Sequence, residues 1–418
     1  MKNKILVVED SAIVTKVLRH VTKQELEGLE TIFASTYAQA KEVFEKEQNN
    51  IYAALADLSL PDAPNGEVVD FLLQSKVPTV VLTGSYDDKK RESLINKGVV
   101  DYVIKETRFS YSFAVSLVNR LFRNQHIKVL VAEDSSSQRK FIVQRLHEHQ
   151  FQTLEAENGV KALEVLQENP DIKLLITDYQ MPEMDGFELV KTIRQRFEKS
   201  NLVIIGLSGQ GEGPLSAKFI KNGANDFLQK PFCHEEFNCR IMHNIESLEL
   251  IEKITHQANH DFLTDLPNRR YFFEQGDQLL AQARKNNTPL AAVVIDLDSF
   301  KAINDNYGHE AGDEILRMVG QQFKSRLSRF LSARTGGEEF CVLLPGLDNE
   351  KAVALINGFR EELMGQIVEV SDDEVLRVTF SAGVTNLQGD TLDALLNQAD
   401  EHLYRAKEAG RNMVIGDD

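Results

Sequence analysis

The sequence predicts an α/β protein in which a doubly wound parallel sheet occurs twice, followed by a further domain with acid-tipped strands. Three observations carry this. Residues 4–10, Lys-Ile-Leu-Val-Val-Glu-Asp, recur at 128–134 as Lys-Val-Leu-Val-Ala-Glu-Asp, each followed by a serine. Helical patterns such as Gly159-Val160-Lys161-Ala162-Leu163-Glu164-Val165-Leu166 fill the gaps between apolar runs. Near the end, Gly336-Gly337-Glu338-Glu339-Phe340 separates Arg334-Thr335 from the apolar run Cys341-Val342-Leu343-Leu344. That stretch reads as a tight turn with carboxylates at its tip, its paired glycines permitting positive φ and a close approach to the backbone.

The short β-branched runs that end in two acids read as buried parallel strands. The repeat continues downstream. Leu55-Ala56-Asp57 matches Ile176-Thr177-Asp178, and Val81-Leu82-Thr83-Gly84 matches Gly206-Leu207-Ser208-Gly209. Asp101-Tyr102-Val103-Ile104-Lys105 matches Asp226-Phe227-Leu228-Gln229-Lys230. The steps from Thr83 to Lys105 and from Ser208 to Lys230 are both 22. Strands alternating with helices specify a doubly wound sheet that binds ligands at its C-terminal edge. A repeat this long means two whole domains.

Bulk properties exclude several functions. A chain of 418 residues holds roughly two to four domains. Hydrophobic content of 42% and charged content of 27% are ordinary for soluble globular protein. A formal net charge of −17 argues against nucleic acid and anionic membrane surfaces as partners. No apolar stretch approaches bilayer length. Met1-Lys2-Asn3-Lys4-Ile5-Leu6-Val7-Val8 reaches Glu9-Asp10 too soon for a signal peptide. Cys233, Cys239 and Cys341 have neither metal-ligand spacing nor a disulfide framework. The expectation is a cytoplasmic protein with reduced thiols.

The chemistry at the repeated edge is coherent. Two acids after the first strand and one after the third hold a divalent cation through oxygens. An Asp beside that metal can attack a phosphoryl group and form an aspartyl phosphate. A hydroxyl and a Lys, each ending a later strand, suit the added phosphoryl oxygens. An isolated Asp here would read as a helix N-cap, but five matched positions occur twice.

These residues resemble the receiver domain of bacterial response regulators, a flavodoxin-like fold. The resemblance implies phosphoacceptors Asp57 and Asp178. It implies metal-binding acids Glu9, Asp10 and Asp57 in the first copy and Glu133, Asp134 and Asp178 in the second, completed by backbone carbonyls of Ser59 and Gln180. Thr83 with Lys105, and Ser208 with Lys230, would bind the phosphoryl group. Tyr102 and Phe227 fall at the family's switch aromatic. The second copy fits better, with Met181-Pro182-Glu183-Met184-Asp185-Gly186 after its Asp and Lys230-Pro231-Phe232 at its end, where a cis Lys230–Pro231 bond is expected. The first copy carries one extra residue in Pro61-Asp62-Ala63-Pro64-Asn65-Gly66, steps 26 from Asp57 to Thr83 against 30 from Asp178 to Ser208, and has Glu106 in place of Pro. Phosphorylation is therefore expected at Asp178 above Asp57, the alternative role for the first domain being a packing or dimerisation surface.

From Glu235 to about His260 the pattern is helical, with Phe237, Ile241, Ile245, Leu248, Ile251, Ile254 and Ala258 at spacings of three and four. Its first part reads as a helix packed on the preceding sheet. The remainder reads equally as a short coiled coil with a second copy.

Asp261-Phe262-Leu263-Thr264-Asp265-Leu266-Pro267-Asn268-Arg269-Arg270 opens the last domain, and Leu290-Ala291-Ala292-Val293-Val294-Ile295-Asp296-Leu297-Asp298 is a buried strand ending in acids. Strand alternation puts Asp296 and Asp298 on one face. The acidic turn can bring Glu338 and Glu339 near them, a cluster of oxygens that suits Mg²⁺. Gly410 reads as a helix cap, leaving Arg411 four residues beyond Lys407. Both cations could reach a triphosphate, although a solvated helix end also favours them.

Asp296-x-Asp-x-Phe-Lys-x-x-Asn-Asp305, Gly308-His309-x-x-Gly312-Asp313, Gly336-Gly-Glu-Glu-Phe340 and Ala406-Lys-x-x-Gly-Arg-Asn412 resemble the GGDEF family, the diguanylate cyclases. With two receivers before it, the order resembles the PleD type of response regulator. The implied fold is α/β throughout: two flavodoxin-like doubly wound receiver domains (1–123 and 127–245), a helical connector (235–260), and an α/β GGDEF domain (261–418) akin to nucleotidyl cyclase and polymerase palms.

The resemblance implies condensation of two GTP to cyclic di-GMP with release of two pyrophosphates, in a homodimer whose catalytic domains face each other. By position, Asp296, the Leu297 carbonyl and Glu338 would bind Mg²⁺ (or Mn²⁺). Asn304 and Asp313 would contact guanine, with Phe300 also in the substrate site. Lys301, Lys407 and Arg411 would bind phosphates, Lys301 stabilising the transition state. Glu338 or Glu339 would take the ribose 3′-hydroxyl proton. Glu at 338 in place of the family's Asp keeps the carboxylate. The family's inhibitory product site, an Arg-x-x-Asp, falls on Leu327-Ser328-Arg329-Phe330, where both charges are missing. A sensor histidine kinase or phosphotransfer protein would supply the phosphoryl group. The competing reading is a catalytically silent module that binds GTP or cyclic di-GMP.

Overall fold

The computed structural model describes residues 3–26, 28–84, 87–209, 215–371, 374–386 and 391–417. Met1 and Lys2, on which the signal-peptide reading draws, lie outside them. The chain divides into two compact units, Met1–Leu250 and Ile251–Asp418.

The first unit contains two five-stranded parallel sheets. One is built from β1 (Lys4–Val8), β2 (Glu30–Ala34), β3 (Ile51–Asp57), β4 (Thr79–Thr83) and β5 (Asp101–Ile104). Its helices are α1 (Ala12–Glu25), α2 (Tyr37–Glu47), α3 (Glu67–Gln74), α4 (Asp88–Lys97) and α5 (Arg108–Asn124). The other has β6 (Lys128–Ala132), β7 (Gln152–Ala156), β8 (Ile172–Asp178), β9 (Val203–Ser208) and β10 (Asp226–Gln229). Its helices are α6 (Ser136–Glu148), α7 (Gly159–Glu168), α8 (Gly186–Ile193), α9 (Leu215–Lys221) and α10 (His234–Asn259). Both sheets have the second strand at one edge, then the first, third, fourth and fifth. Every residue of β3 is buried, as a central strand covered on both faces requires.

The two copies differ where their sequences differ. In the first, the extra loop residue lets Asp62 cap α2 by accepting from the backbone N–H groups of Tyr37 (2.9 Å) and Ala38 (3.0 Å). These bonds hold its carboxyl below the usual range. In the second, Gly186 sits against the Asp178 carbonyl, where a Cβ would lie 2.3 Å away. The longer segment after α8 is organised by Arg194, which donates to the carbonyls of Gly223 and Leu202 and to Asn225 Oδ1. Burial pulls its guanidinium down to about 10. The Lys230–Pro231 bond is cis.

The first part of α10 buries Phe237, Ile241, Ile245 and Leu248 against the second sheet. Beyond it, Leu250, Ile251 and Ile254 are exposed. Within the first unit, Arg120 of α5 makes a two-pronged contact with Glu249 of α10, at 2.8 and 2.6 Å.

His149 lies at this junction, 5% exposed, with its carbonyl accepting from Asn124 Nδ2 at 3.0 Å. Its Nε2 has no hydrogen-bond partner among the described residues. Burial, then the positive neighbours His234 and Arg145, pull its imidazole down to about 4. A base whose folded value lies below its unfolded value contributes stability that is complete above the unfolded value and lost as pH falls towards the folded one. Unfolding of the first unit is therefore expected to become easier between pH 6.5 and 4, by about 3 kcal/mol in all. Denaturant titrations across that range check it, and His149→Leu should flatten the profile.

The second unit is built on a mixed sheet of β11 (Leu290–Leu297), β12 (Leu331–Arg334), β13 (Glu339–Pro345), β16 (Phe380–Thr385) and β17 (Val414–Ile415), with a separate hairpin, β14 (Val368–Ser371) and β15 (Glu374–Leu376). Central β11 is wholly buried and runs antiparallel to both neighbours, β13 and β16. Its helices are α11 (Arg269–Asn286), α12 (Phe300–Arg326), α13 (Asn349–Met364) and α14 (Leu392–Glu408). Two apolar clusters cover the sheet, one centred on Phe323, Phe340, Phe359 and Phe380, the other on Phe272, Leu343, Leu392 and Leu403.

Candidate active site and phosphoacceptor sites

The parallel sheets place acids at their C-terminal edges as the sequence implies. Glu9, Asp10 and Asp57 each offer an oxygen within 4.8 Å of the others, and so do Glu133, Asp134 and Asp178. Asp10 and Asp134 face solvent while the other four are buried. Lys105 Nζ donates to Glu9 Oε2 and Asp57 Oδ2, both at 2.6 Å. Lys230 Nζ repeats this with Glu133 Oε2 at 2.6 Å and Asp178 Oδ1 at 2.7 Å. Backbone N–H groups of Ser59 and Gln180 donate to Asp57 and Asp178, each at 3.2 Å. Burial pushes the Glu9 and Glu133 carboxyls up, against the pull of their lysines. Burial would lower Lys105, but its bonds to Asp57 and Glu9 outweigh that and raise it. An all-oxygen set of this kind fits Mg²⁺ or Mn²⁺. Thr83 and Ser208 are buried at the ends of β4 and β9. Tyr102 is buried, and the Phe227 ring lies 5.7 Å from that of Phe219.

In the second unit, β12 and β13 form the hairpin that carries the acidic turn. The turn is closed by Thr335 N–H donating to the Glu339 carbonyl at 3.0 Å. Neither glycine uses the left-handed φ that such a pair permits. At Gly336 a Cβ would lie 2.5 Å from Glu339 Oε2, so the exposed Glu339 side chain would have to swing aside for any larger residue. At Gly337 nothing lies within 4 Å of the Cβ position, so ligand access remains open. Arg334 holds the turn from below. Its Nε and Nη2 donate to the Gly337 carbonyl at 3.1 and 2.7 Å, and Nη1 donates to Asp261 Oδ1 at 3.0 Å.

Asp296 stands opposite Glu339 in the register of β11 and β13. The Leu297 N–H donates to the Glu338 carbonyl at 3.2 Å, which ties the turn to the end of β11. Asp296 is 7% exposed, and Lys407 Nζ lies 2.8 Å from its Oδ1. Burial, then the charge of Asp296, raises the Glu338 carboxyl, with Lys407 opposing. Two carboxylates that repel one another through a partly desolvated site, beside a backbone carbonyl, fit a hard divalent cation.

The remaining positions gather on α12 and α14. Gly308, at φ 83 and ψ 165, breaks α12 into two segments. The second segment folds Gly312 onto Asn304, where a Cβ would lie 2.0 Å from Asn304 Oδ1. Gly312, the residue before Asp313, is thereby brought against Asn304 eight residues earlier, a placement the sequence shows only through its two glycines. The Phe300 ring belongs to the core, 5% exposed, and supports Gly312 from beneath. Lys301 is exposed, with no ion pair among the described residues. After α14, Gly410 (φ 122) ends the helix and Arg411 N–H donates back to the Ala406 carbonyl at 3.0 Å, leaving the Arg411 side chain exposed.

One acid departs from the strand-alternation reading. Asp298 is 8% exposed and engaged by Thr379, Ser381 and the Asn412 N–H, so it does not join Asp296 in an open oxygen cluster. The window of the missing inhibitory site is occupied by apolar packing. Leu327 is buried, and the Arg329 guanidinium lies 5.4 Å over the Phe330 ring.

Known proteins share these features. The profile described as "Diguanylate cyclase, GGDEF domain" matches residues 258–413, and that described as "Response regulator receiver domain" matches residues 129–242. Response regulator PleD of Caulobacter vibrioides is 32% identical over 290 residues, which cover 65% of this chain and 64% of the relative. The chain thus spans a little under two thirds of that relative's length. Diguanylate cyclase DgcP of Pseudomonas aeruginosa is 36% identical over 184 residues, 42% of this chain and 27% of the relative. A solved structure of a two-component system response regulator/GGDEF domain protein is matched over 100% of its length and 59% of this chain, at 43% identity and a TM-score of 0.55. With both profiles matched and that protein covered from end to end, the chain belongs to the family of response regulators that carry a GGDEF domain.

Proposed function

We propose that the chain is a diguanylate cyclase that condenses two GTP to cyclic di-GMP under the control of aspartyl phosphorylation. The observation that carries the reading is the acidic turn tied to the end of β11, with Glu338 beside Asp296 and Lys407 ion-paired to Asp296. Asp296, the Leu297 carbonyl and Glu338 would hold Mg²⁺ or Mn²⁺. When bound, the metal offsets phosphate charge and makes the ribose 3′-hydroxyl more acidic. Asn304 and Asp313 orient guanine, Asp313 accepting from its N–H groups. Lys407, Arg411 and Lys301 bind the triphosphate, with Lys301 countering charge that develops at the α-phosphate. Glu338 or Glu339 takes the 3′-hydroxyl proton as that oxygen bonds to the α-phosphorus of the second GTP, and pyrophosphate leaves. Each catalytic domain serves one GTP, so two copies of the chain must face each other.

For regulation, residues 1–123 and 127–245 are read as two receivers, 235–260 as the connector and 261–418 as the cyclase. The shared strand order and paired acid–lysine sites support two receivers. Asp178 is the principal phosphoacceptor, Asp57 a secondary one, and a sensor histidine kinase or phosphotransfer protein the donor. The exposed Leu250, Ile251 and Ile254 support a dimer made through the connector. No described helix is long and apolar enough to cross a membrane; the GTP-dependent, kinase-driven reaction proposed here would be a cytoplasmic one.

Incubating the full chain with GTP and Mg²⁺, with and without acetyl phosphate, and resolving the products by chromatography tests the proposal. Absence of cyclic di-GMP under both conditions would overturn it. A further expectation concerns feedback. Without the guanidinium and carboxylate of the Arg-x-x-Asp site, added cyclic di-GMP should inhibit only by competing with GTP. Potent non-competitive inhibition, with product bound at 327–330, would be the contrary result.

A further inference from the structure

We propose that Asp298 is a positioning residue for the triphosphate, acting through the turn that carries Arg411. The inference rests on the cyclase reading and adds a residue to it.

The Asp298 carboxylate is buried and has no cationic partner within ion-pair distance among the described residues. A buried charge of that kind is costly unless hydrogen bonds satisfy it. Here Oδ1 accepts from Ser381 Oγ at 2.6 Å, and Oδ2 accepts from Thr379 Oγ1 at 2.7 Å and from the Asn412 backbone N–H at 3.0 Å. Its own N–H donates to the Thr379 carbonyl at 2.8 Å. The protein thus fills most of the carboxylate's acceptor sites, which leaves Asp298 unsuited to be a metal ligand.

The Asn412 amide belongs to an unusual piece of backbone. Gly410, Arg411 and Asn412 have φ of 122, 65 and 47. Non-glycine residues in this region are strained and persist where their surroundings over-determine them. The determining contacts are few. Arg411 N–H donates to the Ala406 carbonyl, Ala382 N–H donates to the Met413 carbonyl at 2.9 Å, Arg360 Nη1 donates to Asn412 Oδ1 at 2.7 Å, and Asp298 accepts from Asn412 N–H. Of these, Asp298 alone joins the turn to the end of β11, two residues past Asp296. Ser381, which it also holds, stands opposite Asp296 in the register of β11 and β16. The carboxylate therefore locks three segments to one another: the strand that presents Asp296, the strand beside it, and the turn that presents Arg411.

The consequence is specific to phosphate. Asp298→Ala frees the backbone just after Arg411 without touching Asn304 or Asp313. In Asp298→Asn, the amide oxygen still accepts from the Asn412 N–H and the amide nitrogen can donate to Ser381 Oγ, so the lock is retained.

Calorimetric titration of the full-length chain with α,β-methylene-GTP, which cannot be cyclised, and with guanosine tests this in the presence of Mg²⁺. Asp298→Ala should weaken the triphosphate about tenfold or more and guanosine less than about twofold, the cost of one misplaced bidentate cation. Asp298→Asn should restore triphosphate affinity to within about threefold, and Arg411→Ala should add little to Asp298→Ala, because coupled residues are non-additive. Equal weakening of both ligands, an Asp298→Ala variant indistinguishable from wild type, or an Asp298→Asn variant that loses Mg²⁺ dependence would each overturn the assignment. The last outcome remains informative if Asp298→Ala does not fold. Wild-type protein that binds neither ligand would instead overturn the cyclase reading, and this one with it.

Discussion

Glu338→Gln is expected to lower cyclic di-GMP formation at least about 1,000-fold, the scale for losing a charged group that acts on the transition state. The substitution keeps volume and shape at a half-exposed turn, so stability should change by no more than about 0.5 kcal/mol. What it removes is charge. Glu338 and Asp296 are the two carboxylates whose mutual repulsion a divalent cation would relieve, and Lys407 is the only ammonium that meets Asp296 among the described residues. The raised carboxyl of Glu338 adds a signature. Protons compete with the metal at acidic pH above the ordinary carboxylate range, so the Mg²⁺ concentration for half-maximal rate should fall as pH rises through that window. Rate measurements at several Mg²⁺ concentrations and pH values check both statements. A Gln variant that keeps more than about one hundredth of wild-type turnover would show that the metal and proton roles lie elsewhere.

Asp178→Asn is the second large effect. In wild-type protein, acetyl phosphate or beryllofluoride should raise cyclase rate and the dimer fraction together, on the order of tenfold, a usual size for coupling between distant sites. The variant should show neither response while keeping its basal rate. Asp178 is flanked by Glu133 and Lys230 in a buried site, and α10 leaves that same domain four residues after Lys230. Charge added at Asp178 must break or recast the Lys230 bridge, so the strand end that leads into α10 feels it directly. Asp57→Asn should leave most of the response in place. The Asp57 site has the same acids and lysine, yet its loop is diverted by Asp62 to cap α2, and Lys105 is followed by Glu106 in a trans linkage. Sedimentation alongside rate measurements of the single and double variants separates the contributions of Asp57 and Asp178. A response that survives Asp178→Asn but not Asp57→Asn would reverse the assignment.

The sequence by itself determined the parts of this protein that depend on short-range rules. Alternation of apolar runs and helical patterns specified both parallel sheets, and their acids and lysines fall at the strand ends where a doubly wound sheet must place them. The connector helix runs within one residue of its expected limits at either end, because three- and four-residue apolar spacing is a local signal. The turn at 336–340 and the helix end at Gly410 were legible for the same reason.

Tertiary structure decided what each acid and aromatic does. Asp296 and Asp298 are equivalent by strand alternation, but Asp296 meets Lys407 while Asp298 meets donors 81, 83 and 114 residues away. Phe300, which the sequence places in the expected substrate site, is a core residue, its ring covered by Gly312 where the break at Gly308 folds the helix back. Arg334 braces the acidic turn through Asp261, 73 residues earlier. Of the two glycines in the turn, only Gly336 has its Cβ position against Glu339, and left-handed backbone is found instead at Gly410, Arg411 and Asn412. Propensity and periodicity describe a residue and its near neighbours. Whether a buried carboxylate faces a cation, a hydroxyl or a metal depends on which distant segment packs against it, and only the folded chain supplies that partner.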